Sequence, residues 1–423
     1  MQVKLPYGKG WILLNIKEAE IVQSKETRSI KNPRRKLLES LNSPIESESL
    51  RKVVRKASKI LIVTPDKTRA FPSKIILPPI LEEIRRVNKD ALIRILIATG
   101  LHKPHNKDEI IELLGKEIYH EYEVKCHDAL NNSFLTNLNK HTSYSTPIIV
   151  NKEIYNHDII IGLGLIEPHF FAGYSGGRKI ILPGIAGEQA IYNNHCYKMI
   201  ADPKSRYGIL NGNPIHEDMI EFMKKTKLDF IVNVTLNKKF EVTGLFSGHP
   251  VKAHIEGVKV LEKEVKVKVK EKSDIVITTN GGYPLDRNLY QAVKGMATAE
   301  LIVRNGGVII IAAECKDGLG GHNEFYEIVS EAENPDEIIN KIKAEEPIKD
   351  QWEAQILARI RKKASIIIIS EMKRKIIEEM HMIASRNIYE ALEEAEKIVK
   401  KARPKITIIP EGPYIIPQLN ILN

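Results

Sequence analysis

ILIVTPDKTR (residues 60–69) is the stretch that decides the fold class. Four apolar residues and a threonine, with no polar alternation, mark a strand buried on both faces, as in a parallel sheet. The run ends at Pro65. A polar loop, Asp66-Lys67-Thr68-Arg69, follows, and then a helical pattern over 73–88. The same plan recurs twice. LIRILIA (92–98) opens into Thr99-Gly100-Leu101-His102, followed by a helix over 107–114. HDIII (157–161) runs into GLGLIEPHFFAGYSGGRKIILPGIAGEQAIYNNH (162–195). Buried strand, polar loop and helix in alternation predict an α/β chain with a largely parallel sheet. Ligands of such sheets sit outside the carboxyl ends of the strands. That rule predicts that Asp66, Arg69, His102 and His169 converge.

A second αβ unit starts at Asp274 (DIVITTNGGYP). It continues with a helix from about 289, strands over 307–313 and 366–370, and a helix over 387–403. The expected architecture is α/β, with two Rossmann-like α/β domains and the active site in the interdomain cleft. Residues 1–270 form the N-terminal domain and 273–404 the C-terminal one. The tail 405–423 (ITIIP, then EGPYIIP) shares the strand style of residues 1–30 and is expected to pack back on the N-terminal domain. Residues 188–200 read as one helix, 229–243 as a hairpin with Asn237-Lys238-Lys239 at its tip, and the charged run 264–272 as a solvated linker.

The chain has 423 residues, enough for two or three domains with ample core. Its net charge of +10 invites a nucleic-acid reading, but acidic and basic residues are interleaved, as in EKEVKVKVKEK (262–272). No basic stripe with interleaved aromatics is present, so no nucleic-acid partner is expected. Three dispersed cysteines, Cys126, Cys196 and Cys315, argue against a disulfide framework and for a reducing compartment. No signal peptide or membrane span is read, and a cytoplasmic location is expected.

The loops carry the chemistry. Asp66 and Arg69 lie three apart after a strand, where arginine suits carboxylate or phosphate; a local ion pair is the plainer alternative. His102 and His169 stand at two different strand ends. Each alone is read more readily as a histidine without a catalytic role; together they suit opposite faces of one substrate carbon, as a two-base racemase requires. Ser175-Gly176-Gly177-Arg178-Lys179 does not match the Walker pattern but can form an anion nest. Lys179 is then a counter-ion or a covalent anchor, and His195 an acid, a base or a metal ligand. Tyr290 and Lys294 share a helix face by i,i+4 spacing, with Gln291 beside them. No GxGxxG with a downstream acid supports a nicotinamide dehydrogenase.

Taken together, these segments resemble the nickel-dependent lactate racemase family over nearly the whole chain. The resemblance rests on LPYG (5–8), PDKTRAFP (65–72), ATGLHKP (98–104), EPHFFAGYSGGRKIILPG (167–184) and NNH ending at His195. NLYQAVKG (288–295), CKDGLGG (315–321) and the DQW containing Trp352 complete it. It implies a racemase or epimerase of 2-hydroxy acids, lactate by default. It also implies a nickel pincer nucleotide, a pyridinium mononucleotide with thioamide and thiocarboxylate sulfurs, attached covalently at Lys179. His195 would be the nickel ligand, and His102 and His169 the catalytic acid/base pair. Arg69, Gln291, Lys294 and Trp352 would bind substrate. Asp66, Arg69, Ser175, Gly176, Gly177, Arg178 and Tyr290 would hold the cofactor. The N-terminal domain would anchor the cofactor, and cofactor-making enzymes would be transient partners. The alternatives are the same chemistry on malate, a longer-chain hydroxy acid or a sugar acid, and a non-catalytic carrier of the nucleotide.

Overall fold

The computed structural model describes residues 1–420. Two six-stranded sheets carry the chain. In the first, the spatial order is Val242–Gly248, Phe230–Leu236, Ile159–Leu165, Lys59–Pro65, Leu92–Ala98, Glu123–Cys126. Only the pair Phe230–Leu236 and Val242–Gly248 is antiparallel, the expected hairpin. Lys59–Pro65 is buried at every position after Lys59, as a central strand covered on both faces must be. From it the chain steps outward through Leu92–Ala98 and Glu123–Cys126. It then returns to the other side through Ile159–Leu165. The reversal therefore falls between Lys59–Pro65 and Ile159–Leu165, the switch point at which such sheets open a crevice. The loops leaving these two strands carry Asp66, Arg69 and His169.

The second sheet is wholly parallel. Its order is Ile383–Ser385, Ala364–Ile369, Val303–Ala312, Ser273–Thr279, Ile406–Ile409, Glu20–Ile21. The helix Leu289–Glu300 follows Ser273–Thr279 and presents Tyr290, Gln291 and Lys294; the helix Gln351–Lys363 presents Trp352.

Four expectations are corrected here. The division at 270 is crossed by the N-terminus: Glu20–Ile21 joins the second sheet, and Val3, Leu5 and Leu14 pack on its Ile275, Ile277, Ile310 and Ile408. The tail does not simply return to the first domain, because Ile406–Ile409 pairs with Ser273–Thr279. The reason is the same for both segments. The open side of Ser273–Thr279 offers unpaired backbone groups and a bare apolar face, and only these chain ends are free to cover them. The last strand, Ile416–Leu419, pairs with Lys266–Val269, which directly follows the helix Lys252–Val265 on the first sheet. Hence 264–272 is no simple solvated linker: the alternation in KVKV suits a strand with one buried face, and Val269 is buried. Residues 421–423 of the expected tail lie outside the described residues. Finally, the helix over 188–200 is two helices, Glu188–Asn194 and Tyr197–Ala201, broken at His195. No helix among the described residues is long and apolar enough to cross a membrane.

Candidate active site

A cavity of about 890 Å³ lies between the carboxyl ends of the first sheet and the helices Leu289–Glu300 and Gln351–Lys363. Asp66, Arg69, His102, His169, Ser175, Gly176, Lys179, His195, Tyr290, Gln291, Lys294 and Trp352 all line it. Two residues singled out in the sequence do not. Gly177 and Arg178 turn away. Arg178 is 0 % exposed, and its guanidinium donates to the carbonyls of Ala172 (2.8 Å) and Gly176 (3.3 Å) and meets His254 Nε2 at 3.1 Å. Burial pushes its pKa down to about 9. Its work is to pin the turn from behind, since the turn's carbonyls need donors once buried. Gly177 has φ +53, and a Cβ there would lie 2.7 Å from the His254 ring. Gly176, at φ +78, bares its backbone to the cavity.

His102 meets Asp66: Nδ1 is 2.7 Å from Oδ2. A carboxylate only accepts, so Nδ1 carries a proton, and in the neutral ring Nε2 keeps its lone pair. Asp66 is itself buried and takes Thr68 Oγ1 at 2.6 Å on its other oxygen. Burial pushes the Asp66 carboxyl up, but the bonds from His102 and Thr68 and the Arg69 charge outweigh it and leave it below the usual range. The His102 side chain is 44 % exposed, open to the cavity.

His169 has the opposite surroundings. It is 7 % exposed, stacks on Phe170 with centroids 5.1 Å apart, and meets Phe171 edge-on at 4.5 Å. Its Nδ1 accepts the Ala172 amide at 3.3 Å. Burial, then the charges of Lys179, Arg69 and Lys294, push its pKa well below that of an ordinary imidazole. The two histidines thus face one space in different hydrogen-bonding states.

Lys179 stands beside them, its Nζ 5.7 Å from the Phe171 ring centre. Burial, then the charges of Arg178, Arg69 and Lys294, push its pKa well below that of a free lysine, which favours the neutral, nucleophilic amine. His195, at the helix break, is pushed down to about 3 by burial and by Lys179. Its Nδ1 is buried with no hydrogen-bond partner. A neutral imidazole with a free buried nitrogen is the state a metal ligand requires. No group of three or more His, Cys, Asp or Glu among the described residues could hold a metal ion. A metal bound here would therefore take most of its donors from a bound group, with His195 as the protein's. The residues fit a lysine-tethered, metal-bearing cofactor on those grounds.

Cations stand on both walls, Lys294 on the helix Leu289–Glu300 and Arg69 on the loop after Lys59–Pro65. Lys294 Nζ donates to Gln291 Oε1 at 2.5 Å, and Arg69 Nη1 lies 3.5 Å from Glu167 Oε1. Lys294 is pushed down to about 8 by burial and by the Arg69 charge, with Glu353 and Glu167 opposing. Trp352 Nε1 donates to the Tyr290 hydroxyl at 2.9 Å, and the Trp352 ring meets His195 edge-on at 5.1 Å, so it joins the two halves.

Several residues here carried no signal that sequence reading used. Tyr290 stacks on His322 at 3.7 Å and 6°, and His322 Nδ1 is held by Asp350 at 2.7 Å. Asp218 accepts from Asn194, Thr142 and Thr146, fixing the helix end that bears His195. Glu353 lines the cavity beside Trp352. His322 follows the CKDGLGG run and Glu353 follows DQW, so position beside a motif was the available clue. Asp218 had none.

Similar proteins cover nearly the whole chain. Residues 7–208 match the model of the lactate racemase N-terminal domain, and 268–416 that of the lactate racemase C-terminal domain. The chain is 40% identical to the lactate racemase of Thermoanaerobacterium thermosaccharolyticum, over 98% of both chains. It is 38% identical to that of Lactiplantibacillus plantarum, over 98% of this chain and 99% of the relative. The structure of the T. thermosaccharolyticum lactate racemase apoprotein superposes with a TM-score of 0.94 at 39% identity, covering 99% of this chain and 100% of that one. A Thermotoga maritima protein at 17% identity, covering 93% of this chain and 100% of that one, shares the fold with a TM-score of 0.69. Two domain models in order, full-length relatives and a full-length superposition place the chain in the lactate racemase family, whose reaction class is isomerisation.

Proposed function

We propose that this protein interconverts the enantiomers of lactate or a close 2-hydroxy acid. The observation that carries the reading is the placement of His102 and His169, on two strand ends, in one cavity with the cations Arg69 and Lys294. The α-hydrogen of a 2-hydroxy acid is barely acidic, because only the carboxylate adjoins the carbon. Direct proton removal therefore faces a very high barrier. A nickel pincer nucleotide, held by Lys179 and His195, would supply an electrophile that takes the hydrogen as hydride and gives it back.

The residues of the chain do the rest. Arg69 and Lys294 hold the carboxylate, so the substrate pivots about a fixed charge. Phe170, Phe171 and Trp352 exclude water from the reacting carbon. His102 takes the hydroxyl proton on Nε2, with Asp66 keeping Nδ1–H in place. On the opposite face His169 returns a proton to the oxygen. For that it must carry a second proton, which its cationic neighbours oppose and a bound carboxylate favours. Microscopic reversibility exchanges the roles for the other enantiomer.

A second cavity of about 690 Å³ shares Arg69, His169 and Lys294 with the first. It favours substituents larger than methyl as a second reading. The test is chiral chromatography of enantiopure lactate, malate and longer 2-hydroxy acids after incubation with nickel- and cofactor-loaded protein. Formation of the opposite enantiomer of lactate is expected. Loaded protein that racemises none of them overturns the proposal.

Asp66→Asn gives a narrower check. An amide donates to Nδ1 as well as accepting, so His102 can settle in the wrong tautomer. The expected loss in kcat is about 10²–10⁴-fold, the upper end being the scale of tautomer control in catalytic Asp–His pairs. A kcat within about twofold of wild type would remove Asp66 from that role.

A further inference from the structure

Glu353 lies on the Trp352 wall of the cavity and is 0 % exposed. Both of its carboxyl oxygens are buried, and neither accepts a hydrogen bond. Neither cation that bears on it, Lys294 or Arg359, donates to it, and the Arg359 Nη1 has no partner. Lys294 Nζ donates to Gln291 Oε1, and Arg359 forks onto Glu300 at 2.7–3.2 Å. An ionised carboxylate buried without a donor is among the most costly arrangements a protein can hold, and the usual resolution is to keep the proton. The geometry thus favours a neutral carboxylic acid beside a substrate-binding lysine.

We propose that Glu353 is a positioning residue: held as the neutral acid, it leaves the Lys294 charge undivided for the carboxylate of the substrate. This rests on the clamp assigned above to Arg69 and Lys294. An ionised Glu353 would draw the Lys294 ammonium into a buried ion pair, and the clamp would lose half its charge.

The surroundings act in the same sense. Burial pushes the Glu353 carboxyl well above the usual carboxylate range; Asp350 adds to this, while Lys294 and Arg359 oppose it. Tyr207, whose hydroxyl donates to the Lys294 carbonyl at 3.0 Å, faces it as a neutral phenol. Arg69 and Glu167 bear on Lys294 from the loops of the first sheet. Glu353 and Lys294 share two protons at neutral pH. As pH rises the pair loses one, and whichever group gives it up, the net positive charge of the pair is gone and the clamp is left with that of Arg69. With glutamine at 353 only Lys294 has a proton to lose, so that charge persists to higher pH.

Two measurements test this. In infrared difference spectra of the full-length apoprotein at neutral pH, wild type minus E353Q should show the C=O stretch of a protonated carboxyl. In cofactor-loaded enzyme, the alkaline rise of KM for lactate should move to higher pH in E353Q, and the shift should appear in KM and not in kcat. Absence of the acid band overturns the proposal. So does an alkaline limb that stays in place, which would make Glu353 a packing residue, or one that moves to lower pH, which would make it an ion-pair partner. Should E353Q not fold, Lys294→Met serves: an acid band present in both wild type and this variant supports the neutral acid, and a band appearing only in the variant overturns it. Wild type that racemises no 2-hydroxy acid would sink the functional reading alone, since the infrared band does not depend on turnover.

Discussion

Lys179→Ala and Lys179→Arg, each produced beside the cofactor-assembling enzymes, are expected to run at the unmodified polypeptide mass, while wild type carries an adduct. Both variants are expected to lose racemisation to background. The argument is one of charge and access. Lys179 reaches the cavity from a turn whose other cation, Arg178, is locked behind it. Burial and three neighbouring cations favour loss of its proton, and a neutral amine is the nucleophile an amide- or thioamide-forming step needs. The arginine variant is the decisive one. It keeps a positive charge and most of the length but has no amine to acylate. If Lys179 were only a counter-ion for a phosphate, Lys179→Arg would keep a large share of activity and wild type would show no adduct. Intact-mass spectrometry with a nickel assay reads both points at once.

His102→Ala and His169→Ala carry the next largest expected effect, a fall in kcat of about 10²–10⁴-fold each, the range for removing a general acid or base. Losing either partner breaks the cycle, so the double variant should be little worse than the singles. The two stand in different surroundings. His102 is open to the cavity and paired with a carboxylate, whereas His169 is enclosed by Phe170, Phe171 and a ring of cations. Chiral assays of both directions, L to D and D to L, are the check. A single variant that keeps its rate within about tenfold of wild type in both directions would rule out the two-base scheme.

Much of this site was legible along the chain because parallel α/β sheets place ligands by rule. Once ILIVT (60–64) reads as a central strand, the loop after it is a site, and His102 and His169 join it by the same logic. Lys179 and His195 carried local chemistry but ambiguous roles, and the family resemblance named those roles. Arg178 misled, since a Gly-Gly-Arg-Lys turn does not say which cation faces inward. Only the packing of His254 and the Ala172 carbonyl turned the arginine away. The two chain ends misled for a different reason: ITII (406–409) and EI (20–21) are too short for their partners to be read from pattern.

By itself, then, the sequence determined the α/β class, the strands and loops that bear the candidate residues, and the family. These rest on periodicity and on residue types at short spacing, which are local properties. The tertiary structure alone decided that both chain ends complete the second sheet, that Arg178 supports from behind, and that His322, Asp218 and Glu353 belong near the site. Those outcomes depend on which open strand edge and which buried polar atom find a partner across tens to hundreds of residues. Satisfying backbone and side-chain polar groups is a global requirement that no single stretch of chain expresses.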